Sequence, residues 1–111
     1  MVLITTTGAK TGQTRVNPLM CLPDGDTIAI FASAAGAPNS PAWFHNIVAN
    51  PTITVEYGTE TFTARAEVAD RTERDRLYAI QAERYPQFAD YEAKTTRTIP
   101  VVVLHRTEVA P

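Results

Sequence analysis

Cysteine is almost missing from this sequence: Cys21 stands alone among 111 residues, so no internal disulfide can form. No activating group neighbours it, and it reads as a buried structural thiol rather than a nucleophile. Histidine is scarce as well. His45 and His105, without a cysteine cluster or spaced carboxylates around them, predict no metal site. No apolar run approaches the roughly 18 residues that span a bilayer, and no basic segment leads into an apolar one as in a secretory signal. A reducing cytoplasm is the compartment expected. An excess of basic charge is also lacking, since 10 Lys+Arg against 12 Asp+Glu give a formal net charge of −2, which argues against a nucleic-acid partner. Any anion site must be local. Neither a GxSxG elbow, a GxGxxG fingerprint nor an HExxH helix occurs, so a hydrolase or a Rossmann dehydrogenase lacks its parts.

What is present is a chain with 44% hydrophobic residues, enough for one core, and a single domain over residues 1–111 is expected. β-branched residues over Val2–Thr7 and Thr14–Leu22 predict two strands joined by a turn at Gly8–Gln13. Pro23-Asp24-Gly25-Asp26 signals a turn before a strand at Thr27–Ser33, and Ala34–Ser40 reads as a loop. Ser40-Pro41 looks like an N-cap followed by proline in the first helical position, opening a short helix that ends near Asn50-Pro51. Thr52–Tyr57 and Thr61–Val68 alternate around Gly58 as a hairpin, with Phe62, Ala64, Ala66 and Val68 sharing a face. Asp70 and Glu73 resemble a capping box for a helix of about four turns that stops at Tyr85-Pro86, with a short helical piece at Phe88–Thr95. Ile99–Leu104 is an apolar run suited to a strand buried on both faces. Six strands and two or three short helices, with crossovers too short for βαβ units, predict a mainly β (α+β) fold: a compact antiparallel barrel. The chain opens directly on a strand, so an N-terminal extension, with a membrane or partner contact of its own, is expected to be missing.

Chemistry concentrates in a few places. The loop Thr5–Arg15 carries two glycines, several hydroxyls, Lys10 and Arg15, which suits either an anion site or an ordinary solvated hairpin; it lacks the upstream glycine of a Walker A loop. Asn17-Pro18 within a strand marks an edge, open to a ligand or guarded against aggregation. Small residues from Ser33 to Pro41 allow close approach of a planar ligand, and Trp43 could flank it or anchor the core. Tyr85, Phe88 and Tyr91, three residues apart, suit a pocket wall or a core stripe.

Taken in order, Leu3-Ile4-Thr5-Thr6-Thr7-Gly8-Ala9-Lys10-Thr11-Gly12, Arg15-Val16-Asn17-Pro18-Leu19, Trp43-Phe44-His45-Asn46 with Asn50-Pro51, and Arg97-Thr98-Ile99-Pro100-Val101 resemble the deazaflavin-dependent nitroreductase family. The resemblance runs from about Leu3 to Leu104. It implies a six-stranded split β-barrel that binds coenzyme F420, a two-electron hydride carrier with a phosphodiester and an oligoglutamate tail, and passes the hydride to a small-molecule acceptor. Such chemistry needs few catalytic side chains, because the cofactor carries it. By the same resemblance Lys10, Thr11, Gly12 and Arg15 would hold the anionic arm, with Asn17 and Asn46 as polar contacts. Pro18 and Trp43 would border the ring, while Ser33 and Ala34 would stand near ring and substrate. Ser33, Tyr85 and Tyr91 are the implied catalytic hydroxyls. Met20, Phe88 and Tyr91 would line the acceptor pocket, and Met20 and Phe88 replace tyrosines of the nitroreductase type. Nitro compounds, quinones and enones therefore all stand as acceptors. FMN on the same barrel, or a non-catalytic binder of F420 or a lipophilic ligand, are the alternatives. A homodimer is the expected assembly, and membrane association through the missing extension is the further expectation.

Overall fold

The computed structural model describes residues 1–107. Seven strands form one antiparallel sheet: β1 (Val2–Thr7), β2 (Thr14–Leu19), β3 (Cys21–Asp24), β4 (Thr27–Phe31), β5 (Thr52–Tyr57), β6 (Glu60–Val68) and β7 (Val101–Arg106). Three helices interrupt them: α1 (Ala42–Ala49), α2 (Arg71–Arg84) and α3 (Gln87–Ala93). The spatial order is β2-β1-β5-β6-β7-β4-β3. Consecutive strands β2 and β3 thus lie at opposite edges of the sheet, with Met20 alone between them. A sheet whose two edges are one residue apart along the chain must curl. The result is the half-barrel of a split-barrel fold, with seven strands where six are expected from sequence. The expected strand Thr14–Leu22 breaks at Met20 because its first half bonds to β1, Leu19 facing Val2, and its second half to β4, Cys21 facing Ile30. Both halves are extended, so periodicity cannot register the change of partner.

Alternation along the strands sorts the apolar residues into two cores. Ile4, Ile30, Ile53, Val55, Ala64, Val102 and Leu104 point into the barrel, where Trp43 and Ile47 of α1 pack against them. On the outer face Ala29, Phe31, Val101 and Val103 meet Leu77, Tyr78 and Phe88 of α2 and α3. Strands β4 and β7 are therefore buried on both sides, as the unbroken run near Ile99–Leu104 predicts. Val68, paired with Val102, keeps the face expected of it but is exposed at the end of β6. Pro18 and Pro23 fall on the edge strands β2 and β3, where a missing ladder donor is tolerated.

Local signals account for the ends of α2: the Asp70 carboxylate accepts from the Glu73 amide at 2.9 Å, and Tyr85-Pro86 stops the helix. At α1 the cap differs from the expectation. Pro41 is the N-cap and no side chain caps the helix, because the Ser40 hydroxyl accepts instead from Arg97 Nη1 at 3.2 Å. Among the described residues no helix is long and apolar enough to cross a membrane.

Candidate active site

The loop between β1 and β2 closes on itself before it meets anything else. The Gly8 amide donates to Gln13 O at 2.7 Å, the Gly12 amide donates to Gly8 O at 3.0 Å, and the Thr11 hydroxyl accepts from the Gln13 amide at 3.2 Å. A side chain at Gly8 would put Cβ 2.7 Å from Thr11 Oγ1, so glycine is what lets the loop close. Helix α1 then pins the loop. Asn46 Oδ1 accepts from the Ala9 amide at 3.1 Å, its Nδ2 donates to Thr6 Oγ1 at 3.3 Å, and Asn50 Nδ2 donates to Thr7 O at 3.4 Å.

Between this loop, β2 and α1 lies a cavity of about 730 Å³ lined by Lys10, Thr11, Arg15, Asn17, Trp43, His45 and Asn46, with Gly8, Ala9, Val16, Pro41 and Ala42 completing its walls. No carboxylate is among these residues. Lys10 from the loop and Arg15 from β2, with His45 from α1, gather basic side chains around this cavity on a protein of net charge −2, the lining that an anion site needs.

A second cavity, about 230 Å³, shares Pro41 and Trp43 with the first. Its remaining walls are mostly apolar: Pro18, Leu19 and Met20 leaving β2, Phe31 at the end of β4, Ser33, Ala34 and Ala35, then Phe88 and Tyr91 of α3. Trp43 is only 5% exposed and belongs to the barrel core while bordering both cavities, so anchor and flank are the same residue. Phe88 is likewise both wall and core, its ring edge-on to Phe31, Tyr78 and Tyr91 with centroids at 5.5, 6.2 and 5.2 Å.

The strip Ser33–Gly36 that borders this second cavity is a single 3-10 turn preceded by Ser33, and its backbone is unusual. Ala34 and Ala35 both hold left-handed conformations, φ 46° and 53°, which cost an alanine roughly 1–2 kcal/mol each. Gly36 follows at φ 84°, where an added Cβ would lie 2.9 Å from Tyr91 O. Arg97 holds the strip from behind. Its Nη2 donates to Ala32 O at 3.0 Å and Ser33 O at 2.9 Å, its Nε to Ala37 O at 2.9 Å, and its Nη1 to Ser40 Oγ.

Most of the residues singled out from sequence thus converge on two touching cavities. Gly12 and Tyr85 line neither: Gly12 turns the loop at φ 70°, and Tyr85 is an exposed C-cap of α2. Asn46 lines the first cavity and also braces the loop, taking one hydrogen bond from the Ala9 amide and giving one to Thr6 Oγ1. Sequence reasoning did not mark His45, Pro41 or Arg97 as site residues, although all three lie in or beside quoted motifs. Cys21 is half-buried on the edge strand β3 rather than fully buried, and burial pushes its thiol pKa up, away from a nucleophile. A third, polar cleft of about 520 Å³ between α2, α3 and Thr95–Thr98 has its charges consumed internally, Arg74 donating to Glu92 at 2.7 Å and Asp75 at 2.9 Å.

The donor set of the larger cavity, cationic, hydroxylic and free of acids, beside an indole and an apolar pocket, fits coenzyme F420 with its anionic arm. Comparison with known proteins agrees. The model of the F420H(2)-dependent quinone reductase family matches residues 1–106. An F420H(2)-dependent quinone reductase of Mycobacterium tuberculosis (strain ATCC 25618 / H37Rv) is 41% identical over 108 residues, covering 95% of this chain and 72% of that protein. A solved F420-H2 dependent reductase, FDR-A, superposes with a TM-score of 0.85 at 39% identity, over 94% of this chain and 92% of its own. A structure of a domain-swapped dimer matches with the same TM-score and identity, over 94% of this chain and 78% of its own. The chain belongs to the F420H(2)-dependent quinone reductase family: it is an F420-dependent oxidoreductase built on a split barrel.

Proposed function

We propose that this chain, as one F420-binding domain, reduces a quinone-type acceptor held in the smaller cavity with the cofactor held in the larger. The observation that carries this reading is the contiguity of the two cavities across Trp43 and Pro41, one cationic and one apolar. Lys10 and Arg15 hold the phosphodiester and tail, with Thr11 and Asn17 adding polar contacts. Trp43 and Pro18 border the ring, and Asn46 keeps the Gly8–Gln13 loop in place. Reduced F420, when bound, supplies a hydride and so both electrons of the reduction. Met20, Phe88 and Tyr91 orient the acceptor and keep water from it, work that positions the reactants rather than performing covalent chemistry. Ser33 Oγ donates a hydrogen bond to one acceptor oxygen, and Tyr91 Oη holds the proton that completes the hydroquinone. Tyr85 has no part in this assignment, because it lines neither cavity. A quinone is favoured over a nitro compound by the family name and by the apolar Met20 and Phe88 walls. A homodimer is the assembly we propose, on the strength of the domain-swapped relative.

The test mixes the protein with reduced F420 and menadione and follows the return of oxidised-cofactor absorbance. Lys10→Ala removes a charge-assisted contact of roughly 1.5–3 kcal/mol, so Kd for F420 should rise about 10- to 100-fold while turnover at saturating cofactor changes little. Unchanged affinity would take Lys10 out of the site, and absence of binding by the unaltered protein would overturn the reading as a whole.

A further inference from the structure

We infer that Arg97 is the positioning residue of the acceptor cavity: from behind the wall it ties four groups of the segment Ala32–Ser40 and so holds the left-handed turn that forms one side of that cavity. The inference rests on the assignment of the smaller cavity to the acceptor.

Arg97 belongs to neither cavity, and none of its hydrogen bonds goes to a carboxylate. Three of its four acceptors are backbone carbonyls and the fourth is a hydroxyl, all from a nine-residue stretch remote in sequence. Burial draws its guanidinium below the ordinary arginine pKa, as befits a charge held by dipoles alone. Such an arrangement orders a loop, because the planar fork fixes the directions of several carbonyls at once, which a lysine ammonium cannot do. The loop needs ordering. Two consecutive alanines at φ 46° and 53° would relax toward ordinary backbone if their flanks were free. Ser33 O illustrates the clamp: it accepts from the Gly36 amide inside the turn and from Arg97 Nη2 outside it, both at 2.9 Å. Ser33, Ala34 and Ala35 are cavity wall, so relaxation would move the Ser33 hydroxyl and reshape the acceptor site while leaving Lys10 and Arg15, across Trp43, untouched.

The test compares the unaltered protein with Arg97→Lys and Arg97→Met. Because Arg97 also lines the open cleft between α2 and α3, added methylguanidinium has a route into the space vacated in Arg97→Met. For Arg97→Lys, KM for menadione should rise about tenfold or more, with F420 affinity, read by quenching of Trp43, within about twofold of the unaltered protein. Backbone amides of residues 33–40 should exchange at least about tenfold faster, with other protected amides unchanged. Methylguanidinium, but not urea at the same concentration, should lower the menadione KM of Arg97→Met. Unaltered menadione KM and unaltered exchange over residues 33–40 would overturn the inference, as would a uniform rise in exchange across the chain. Should the unaltered protein fail to reduce menadione, the acceptor assignment fails, and exchange over residues 33–40 alone decides whether Arg97 orders the turn.

Discussion

Gly36 shows how much a single residue decides at this site. Its φ of 84° is one that side chains rarely adopt, and Cβ there would meet the Tyr91 carbonyl at 2.9 Å and Lys94 Cβ at 3.0 Å. Helix α3 therefore sits as close to the Ser33–Gly36 turn as backbone allows. Gly36→Ala should destabilise the protein by about 1–3 kcal/mol through strain and displacement of α3, and should weaken the acceptor more than F420, because Tyr91 moves while Lys10 does not. Denaturant midpoints and a menadione KM measure the two effects; an unchanged midpoint would show that the turn is not so constrained. Nothing in the sequence separates this glycine from Gly25 or Gly58, which turn simple hairpins with open space around them. The difference is a neighbour more than 50 positions away.

At the scale of an element, α2 is the most readable part of the chain and still carries an anomaly. Asp70, the apolar spacing and Tyr85-Pro86 mark its start, face and end, since each acts within a turn of helix. Its buried face also takes in Arg74 and Gln81, which local pattern would assign to solvent. Arg74 has partners, donating to Ile99 O at 2.9 Å besides Asp75 and Glu92. Gln81 is 0% exposed and has no partner for either its amide nitrogen or its oxygen among the described residues. An unmet buried amide costs roughly 1–3 kcal/mol, so Gln81→Met, of similar shape and without the polar pair, should raise stability by about 1–2 kcal/mol. Thermal unfolding checks this: on a chain of this size the gain is worth several degrees, and a lower midpoint would mean that Gln81 has an ordered partner such as water. Strand β2–β3 is the opposite case. Its extended character is plain in the sequence, but the break at Met20 depends on which strands lie to either side.

Taken whole, the molecule is a curled sheet with a helical layer on one outer face, and Tyr78 sits where the two meet. Its hydroxyl donates to Phe88 O at 2.7 Å, Arg74 lies over its ring at 4.5 Å, and burial pushes its pKa up to about 12. An acid whose folded pKa lies above its unfolded value stabilises the fold fully below the unfolded value, near 10, and loses that contribution as pH rises through about 12. Two units correspond to about 2–3 kcal/mol, so urea midpoints should fall steeply between pH 10 and 12 in the unaltered protein and less so in Tyr78→Phe. Parallel falls in both would assign the alkaline loss to other groups.

Strand and helix identities, the edge prolines, the doubly buried closing strand and the cationic loop were determined by the sequence itself. They arise from spacing, turn chemistry and side-chain type over a few residues, which chain order contains. The ordered motifs also carried the family. The tertiary structure alone decided that β2 and β3 part to opposite edges, that Trp43 joins a cationic cavity to an apolar one, and that Asn46 braces the cationic loop. It also left Tyr85 outside and set Arg97 behind the wall. Each of these depends on contacts between segments tens of residues apart, whose meeting is fixed by the curl of the sheet and the sharing of its two cores, a property of all the strands together.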